Sequence, residues 1–224
     1  MPRVTEEYFV QKRKEIIEAA YRVCTRKPIA SVGMQDIINE TGFSHGVIYK
    51  YYKDLDEVIR DLVGTINSEH RLDERISGMF DDTENWTDTI RKACRLLADQ
   101  MTEAGIEVLK ISLYGDMLAM SNPERVLRIA KTMDPEKQSP LVTFMAALTD
   151  YLNRIIAEND LHPQKAIEEI MQFMTVTYQG IQSGYVLANS LGEGLVQGQY
   201  DPHKMFACLA ESVILLLETS AEET

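Results

Sequence analysis

The sequence contains few of the residues and runs that mark secreted, metal-binding or membrane proteins. Its three cysteines, Cys24, Cys94 and Cys208, lie far apart and form no C-x-x-C pair. We therefore expect reduced thiols rather than disulfides or a metal site. The longest apolar patches, at residues 141–148 and 213–217, are far shorter than the roughly 20 residues of a membrane span. The first residues turn acidic at once and lack the apolar segment of a signal peptide. We expect a cytoplasmic protein that does not insert into a membrane.

Patterns that indicate strands or common catalytic sites are also lacking. From Trp86 onward no run alternates apolar and β-branched residues with polar ones, as half-buried strands do. The four histidines (His45, His70, His162 and His203) have no metal-ligand spacing with each other or with the cysteines. The sequence contains neither a phosphate-binding loop nor a GxGxxG motif. These absences predict an all-α protein that is not an enzyme and that needs no cofactor or metal.

Charge is distributed unevenly along the chain. The net charge is −12, yet residues 1–53 carry nine Lys and Arg against six Asp and Glu. The remaining residues carry 14 basic against 29 acidic side chains. An acidic body repels a polyanion, so only the N-terminal region is suited to approach nucleic acid.

Residues 42–52, GFSHGVIYKYY, have the pattern of a helix-turn-helix motif. They follow a short apolar-periodic segment at residues 34–41. Gly42 permits the positive φ of a tight turn, and Ser44 is a good N-cap for a second helix. Helical spacing puts Val47, Ile48 and Tyr51 on one face. It leaves the other positions for other surfaces: His45, Gly46, Tyr49, Lys50 and Tyr52.

The run at residues 44–52 resembles the recognition helix of TetR-type (tetracycline-repressor-like) transcriptional regulators, whose pattern is roughly Gly-Val-Ser-x-Gly-x-x-Tyr-x-x-Phe. Residues 16–20 resemble the signature of the family's first helix, and residues 36–38 that of its second. Residues 54–58 occupy the place of the usual Ser-Lys-Glu-x-Leu. The similarity covers residues 5 to about 63. Four positions depart from the family pattern: Pro28, Val32, Gly33 and Leu55.

The resemblance implies an N-terminal three-helix DNA-binding domain at residues 1–53 and a helical effector-binding and dimerisation domain at residues 54–224. It implies that the DNA contacts come from Ser44, His45, Gly46, Val47, Tyr49, Lys50, Tyr51 and Lys53. Among these, His45 and Tyr49 are our candidates for base edges, and Lys50 and Lys53 for phosphates. For Tyr51 and Tyr52 the alternative is packing against the first and fourth helices.

The rest of the chain is predicted to be helical, with proline near the start of four late helices. We expect these helices at about residues 123–133, 140–159, 163–191 and 202–220. The middle helices are rich in methionine and aromatic residues, which suit an apolar pocket. By analogy with TetR-type proteins, we expect a small apolar or amphipathic effector to contact Tyr114, Met117, Phe144 and Tyr178. The alternative is that these residues only fill a core.

Two late helices have stripes that would suit a dimer of four packed helices. One stripe is a row of small residues spaced by four, and the other is a broad apolar face. They consist of Gly180, Gly184 and Ala188, and of Phe206, Leu209, Val213 and Leu217. The alternative is that both stripes lie in the core of a single chain.

Taken together, these features predict a ligand-responsive repressor that binds a palindromic DNA operator as a homodimer and is released by its effector. The competing hypothesis is an all-helical protein-interaction module that uses the surface of residues 42–52 without binding DNA. Binding that weakens steeply with salt would favour the first hypothesis, because it reports contact with phosphates.

Overall fold

The computed structural model describes residues 6–191 and 200–218, and every regular element in these ranges is helical. The prediction of an all-α fold is therefore confirmed. The helices are α1 (Glu6–Arg26), α2 (Met34–Thr41), α3 (His45–Tyr51), α4 (Leu55–Glu69), α5 (Asp73–Ile76), α6 (Trp86–Ser121), α7 (Pro123–Lys131), α8 (Pro140–Glu158), α9 (Ile167–Leu191) and α10 (Pro202–Leu217). Single 3₁₀ turns lie at Ile29–Ser31 and Pro135–Lys137.

The described residues form two compact units. The head unit contains residues 6–69 and 110–138, and the body unit contains residues 70–109, 139–191 and 200–218. Helix α6 belongs to both, since the chain passes from the body unit to the head unit after Leu109. The helical geometry of α6 is broken at Gly105, whose φ of 81° and ψ of 158° are open only to glycine.

The head unit is built around α1, which packs against α2, α3 and α4, while α4 also packs against α7. Its core joins Ile16, Ile37 and Ile48 of the first three helices to Leu62 of α4. The same core continues into Ile111, Leu118 and Ile129 of α6 and α7. The functional boundary after residue 53 remains a prediction, but hydrophobic packing carries the compact unit beyond it.

One ion pair ties the start of α4 to α7 inside the head unit. The Oδ1 atom of Asp56 accepts a hydrogen bond from Nε of Arg125 at 2.7 Å, and these side chains are only 24% and 17% exposed. Arg128 approaches the second carboxylate oxygen of Asp56 at 3.3 Å. Helix α4, which follows α3 directly, is thus held to α7 by both polar and apolar contacts.

In the body unit, α9 packs against both α8 and α10, and α8 also packs against α5. Aromatic rings fill its centre: Phe80 lies 6.0 Å from Phe144 and 5.1 Å from Tyr151 by ring centroids. Phe144 and Tyr151 are completely buried. None of the helices in the described residues is both long enough and apolar enough to span a bilayer.

Proline marks three of the four late helix starts. Pro123, Pro140 and Pro202 occupy the first turns of α7, α8 and α10. The predicted start at Pro163 was wrong, because α9 begins at Ile167. The backbone N–H of Gln164 instead donates to the carbonyl of Leu216 at 2.9 Å, so this segment is held against the end of α10 before α9 begins.

Candidate nucleic-acid interface

The turn between α2 and α3 has the geometry expected of a helix-turn-helix motif. Gly42 ends α2 in the left-handed conformation, with φ of 70°, and its N–H donates to the carbonyl of Ile38 at 3.0 Å. Ser44 takes the N-cap position of α3, and its carbonyl accepts from Val47 and Ile48. The Ser44 side chain makes no capping hydrogen bond, so its hydroxyl remains on the exposed surface.

The buried face of α3 differs from the predicted one. Ile48, Tyr51 and Tyr52 are 0%, 7% and 1% exposed, whereas Val47 is 36% exposed. DNA contact by Tyr51 stays a prediction, and the geometry supports the packing alternative: its ring packs against Phe9 of α1 at 5.6 Å, and burial raises the pKa of its hydroxyl. Tyr52 is likewise buried, and burial raises its pKa too. The chain leaves the helix at Tyr52, so helical spacing no longer describes where its side chain points.

The outer face of α3 presents polar and aromatic groups to solvent. His45 and Tyr49 are exposed, lie one turn apart and stack with their rings 6.2 Å apart at 17°. A Cβ atom added at Gly46 would meet nothing within 4 Å, so the protein itself does not require glycine there. Imidazole, phenol and hydroxyl groups on one exposed helix face can donate to and accept from base edges and phosphates.

Most basic side chains near this face are already paired with carboxylates. In the described part of residues 6–53, six of the eight Lys and Arg side chains form ion pairs within the head unit. These pairs are Lys12–Glu15, Arg13–Asp61, Lys14–Glu18, Arg22–Glu40, Arg26–Glu40 and Lys27–Asp36. These pairs neutralise most of the positive charge carried by residues 6–53.

Lys50 and Lys53 are the two described cations in this region without a carboxylate partner. The ammonium group of Lys50 lies 4.9 Å from the ring centroid of Phe9, which orients it without neutralising it. The backbone N–H of Lys53 donates to Glu57 at 2.8 Å, and the N–H of Glu57 donates to Asp54 at 3.0 Å. These bonds fix the backbone of Lys53 and leave its side chain exposed.

Residues 42–46, GFSHG, also match the G-x-S-x-G spacing of hydrolase nucleophiles. That motif works where a strand turns sharply into a helix, with an acid and a base beside the serine. Here it joins two helices, and the nearest hydrogen-bond partner of the His45 ring is Gln35 rather than Ser44. The surroundings therefore do not activate Ser44. No group of three or more metal-ligating side chains occurs among the residues the structure describes.

Comparison with known proteins agrees with this geometry. The family model for bacterial regulatory proteins of the TetR family matches residues 16–62, which run from the middle of α1 into α4. Residues 16–62 thus match the helix-turn-helix region of TetR-family transcriptional regulators.

Similar proteins cover nearly the whole chain. A Bacillus subtilis protein described as an uncharacterized HTH-type transcriptional regulator, YfiR, is 25% identical over 97% of this chain and 96% of its own. A putative TetR-family regulator from Rhodococcus sp. superposes with a TM-score of 0.64 at 12% identity, covering 93% of this chain and 100% of the other. Bacillus subtilis FadR, solved in complex with stearoyl-CoA, has a TM-score of 0.62 at 15% identity, covering 90% and 97%.

The four predicted effector contacts do not lie in one compact unit. Tyr114 and Met117 belong to the head unit, whereas Phe144 and Tyr178 belong to the body unit. Tyr114 packs against the head core, and Met117 is 49% exposed. Phe144 is completely buried, and the Tyr178 ring packs at a tilt against Phe206, with centroids 5.9 Å apart. Effector contact by these residues remains a prediction.

The assignment of the α10 apolar face to a dimer interface stays a prediction, and burial within one chain supports the alternative in which this face is core. Each of its four predicted residues is at most 2% exposed within a single chain, namely Phe206, Leu209, Val213 and Leu217. The small-residue row on α9 is also partly filled. The Tyr200 ring packs on Gly184 so closely that a Cβ atom added there would lie only 2.7 Å from it. An apolar stripe is buried first by its own chain, and periodicity alone does not distinguish that outcome from assembly.

The exposed apolar residues of these two helices form a different stripe, which sequence periodicity did not single out. On α9, Phe173, Val176 and Leu187 are 42%, 67% and 56% exposed. Gly180 lies between them on the same face, with no atom within 4 Å of an added Cβ. On α10, Leu215 is 61% exposed. The residues that pack inside the chain and those left outside alternate along each helix, so only the packed structure separates them.

Proposed function

We propose that this TetR-type regulator is a ligand-responsive repressor that binds a palindromic operator through α3. The observation that carries the proposal is the exposed face of α3. There His45 and Tyr49 lie beside Lys50 and Lys53, the two described cations of residues 6–53 that no carboxylate neutralises. Phosphate contacts position a protein on DNA and base contacts specify the sequence. In this proposal the two lysines bind phosphates, while His45, Tyr49, Ser44 and Val47 face the major groove.

We also propose a homodimer, formed by the exposed apolar stripe of α9 and α10. Phe173, Val176, Leu187 and Leu215 are large apolar side chains at 42–67% exposure, and Gly180 at the centre of the α9 face would let a second helix approach closely. Helix-turn-helix dimers bind half-sites about 34–36 Å apart. Two copies of this chain related by a two-fold axis would match the two-fold symmetry of a palindromic operator.

The effector of this regulator is proposed to be a small apolar or amphipathic molecule. The fold neighbour FadR was solved with stearoyl-CoA, and another, from the gamma-butyrolactone receptors, is described as an ArpA-like protein. We retain Tyr114, Met117, Phe144 and Tyr178 as the proposed contacts. Because α4 follows α3 directly and Asp56 ties it to Arg125 of α7, a movement of α4 is the proposed route to DNA release. Such a switch requires an effector that binds the two states with different affinity.

We place the protein in the cytoplasm, where the DNA is.

Titration of duplex DNA at several salt concentrations tests the DNA-binding proposal. The operator is first enriched from duplexes with a randomised centre, and its affinity is then compared with that of a scrambled duplex. We expect the affinity for both to fall as salt rises, because counterions are released at each neutralised phosphate. An affinity that does not change with salt, or an enrichment that yields no preferred sequence, would favour the protein-interaction module instead.

A further inference from the structure

Three polar side chains on α2 and α3 form a line of hydrogen bonds on the surface of the helix-turn-helix motif. Gln35 and Asn39 lie one turn apart on α2, and the Nε2 atom of Gln35 donates to Oδ1 of Asn39 at 2.7 Å. The Oε1 atom of Gln35 lies 2.9 Å from Nε2 of His45, at the start of α3. All three side chains are exposed, and the line ends at His45, which is proposed to contact DNA.

With the two amides oriented as they are in the structure, their chemistry assigns the proton of this bond to His45. An amide nitrogen only donates and an amide oxygen only accepts. Since the nitrogen of Gln35 is directed at Asn39, its oxygen faces the imidazole. An oxygen without a hydrogen cannot donate, so the proton of this bond belongs to Nε2 of His45. In a neutral imidazole the other nitrogen, Nδ1, then carries a lone pair and can only accept.

The orientation of the ring is fixed from a second direction. Tyr49, one turn further along α3, stacks against it at 6.2 Å and 17°. Two neighbours thus hold the imidazole: Gln35 through a hydrogen bond to Nε2, and Tyr49 through stacking on the face of the ring. Within the described residues, Nδ1 makes no hydrogen bond and is left for a partner outside the chain.

We propose that Gln35, with Asn39 behind it, is a positioning residue that determines which bases His45 recognises. Held as the Nε2–H form, His45 accepts at Nδ1 from an amino group in the major groove. Adenine N6 and cytosine N4 present such a donor, whereas guanine and thymine present acceptors there. Gln35 of α2 therefore determines the preference of His45 for adenine or cytosine at one operator position. This inference rests on the proposed function, in which α3 lies in the major groove.

Affinity ratios between the enriched operator and its single-base variants test the inference. The measurement compares the wild type with His45→Ala, Gln35→Leu and Gln35→Glu at about pH 8, where free imidazole is neutral. His45→Ala identifies the position at which His45 acts. We expect the wild type to favour adenine or cytosine there by about tenfold. Gln35→Leu should remove that preference, and Gln35→Glu should keep it because a carboxylate oxygen still accepts from Nε2.

Ratios measured within one protein cancel any uniform loss of affinity, including the repulsion of phosphates by a new carboxylate. The matched control is Gln11→Leu, the same change on the exposed surface of α1, which should alter no ratio. If His45→Ala leaves every ratio unchanged, the proposed role of His45 fails. If His45→Ala removes a preference that Gln35→Leu leaves intact, or if the preferred base is guanine or thymine, only the inference about Gln35 is overturned.

Discussion

The head and body units both bury aliphatic and aromatic cores, but their helices α3 and α9 expose different chemistry. On α3 of the head unit, the exposed groups are an imidazole, a phenol and the ammonium of Lys50. On α9 of the body unit, the exposed groups are Phe173, Val176 and Leu187. A polyanion binds the first kind of surface and an apolar surface binds the second. Because both units bury apolar residues, the contrast between them lies in the side chains that α3 and α9 leave exposed. Those exposed side chains are where we look for function.

The contrast between buried and exposed apolar residues of the body unit gives the largest expected effect. Phe206→Ala should lower the free energy of unfolding by about 3–5 kcal/mol, because a fully buried ring is replaced by a cavity. Val142→Ala, a truncation at a residue of α8 that is 59% exposed and lies outside the proposed interface, should cost far less. Urea unfolding of both variants measures the difference. Equal losses would mean that Val142 is as buried in solution as Phe206.

The exposed stripe of α9 predicts the next largest effect. Val176→Glu combined with Leu187→Glu should raise the dimer dissociation constant by at least about a hundredfold, because two unpaired carboxylates would be buried in the interface. Sedimentation equilibrium measures it. Val10→Glu, at a residue that is 63% exposed on α1 of the head unit, is the matched control. A wild type that sediments as a monomer, or an effect as large for Val10→Glu, would rule out this interface.

On the head unit, the double change His45→Ala and Tyr49→Ala should weaken specific operator binding by about 1–3 kcal/mol for each lost contact. Binding to a scrambled duplex should change little, because base contacts carry the sequence preference. Tyr8→Ala on α1 is the control, since Tyr8 is 48% exposed and Tyr49 is 51% exposed. Titrations at one salt concentration provide the comparison. Unchanged operator affinity in the double variant would contradict the assignment.

The pairing of cations in the head unit can be tested through salt dependence. Lys50→Ala and Lys53→Ala should each reduce the slope of log affinity against log salt by about 1, through loss of one phosphate contact. Lys14→Ala should leave the slope unchanged, because Lys14 already pairs with Glu18 at 3.9 Å. If Lys14→Ala had the larger effect, the ion pair would have to open when DNA binds.

The smallest expected effect concerns Asp36, which accepts from the backbone N–H of Gly33 at 2.7 Å and pairs with Lys27. Lys27, and then the Gly33 bond, hold the pKa of this carboxyl below its ordinary value. A carboxyl with a lowered pKa in the folded state adds stability above its unfolded pKa and loses it as pH falls. Asp36→Ala should therefore cost about 0.5–1 kcal/mol at neutral pH. The urea midpoints of wild type and variant should converge below about pH 4. A cost that persists at low pH would exclude the carboxylate as its source.

Sequence reasoning succeeded where local rules are strict. The φ of 70° at Gly42 and the prolines at the starts of α7, α8 and α10 follow from what those residues permit. It did not decide between packing and DNA contact for Tyr51, and it left Tyr52 off the buried face. The chain leaves the helix at Tyr52, and both rings lie in the head core. Gln35 and Asn39 could have been noticed as an exposed polar pair spaced by four. Only the packing of α2 beside α3 brings them to His45.

The sequence by itself determined the all-helical fold, the motif of residues 42–52 and the excess of basic over acidic residues in 1–53, because periodicity, capping and charge are properties of neighbouring residues. Only the tertiary structure decided which stripe of α10 is core, which tyrosines are buried, and that Lys50 and Lys53 keep their charge unpaired while Arg22 and Arg26 share Glu40. The physical reason is that burial and ion pairing depend on residues distant along the chain. An apolar or charged side chain has the same local pattern whether a partner covers it or not.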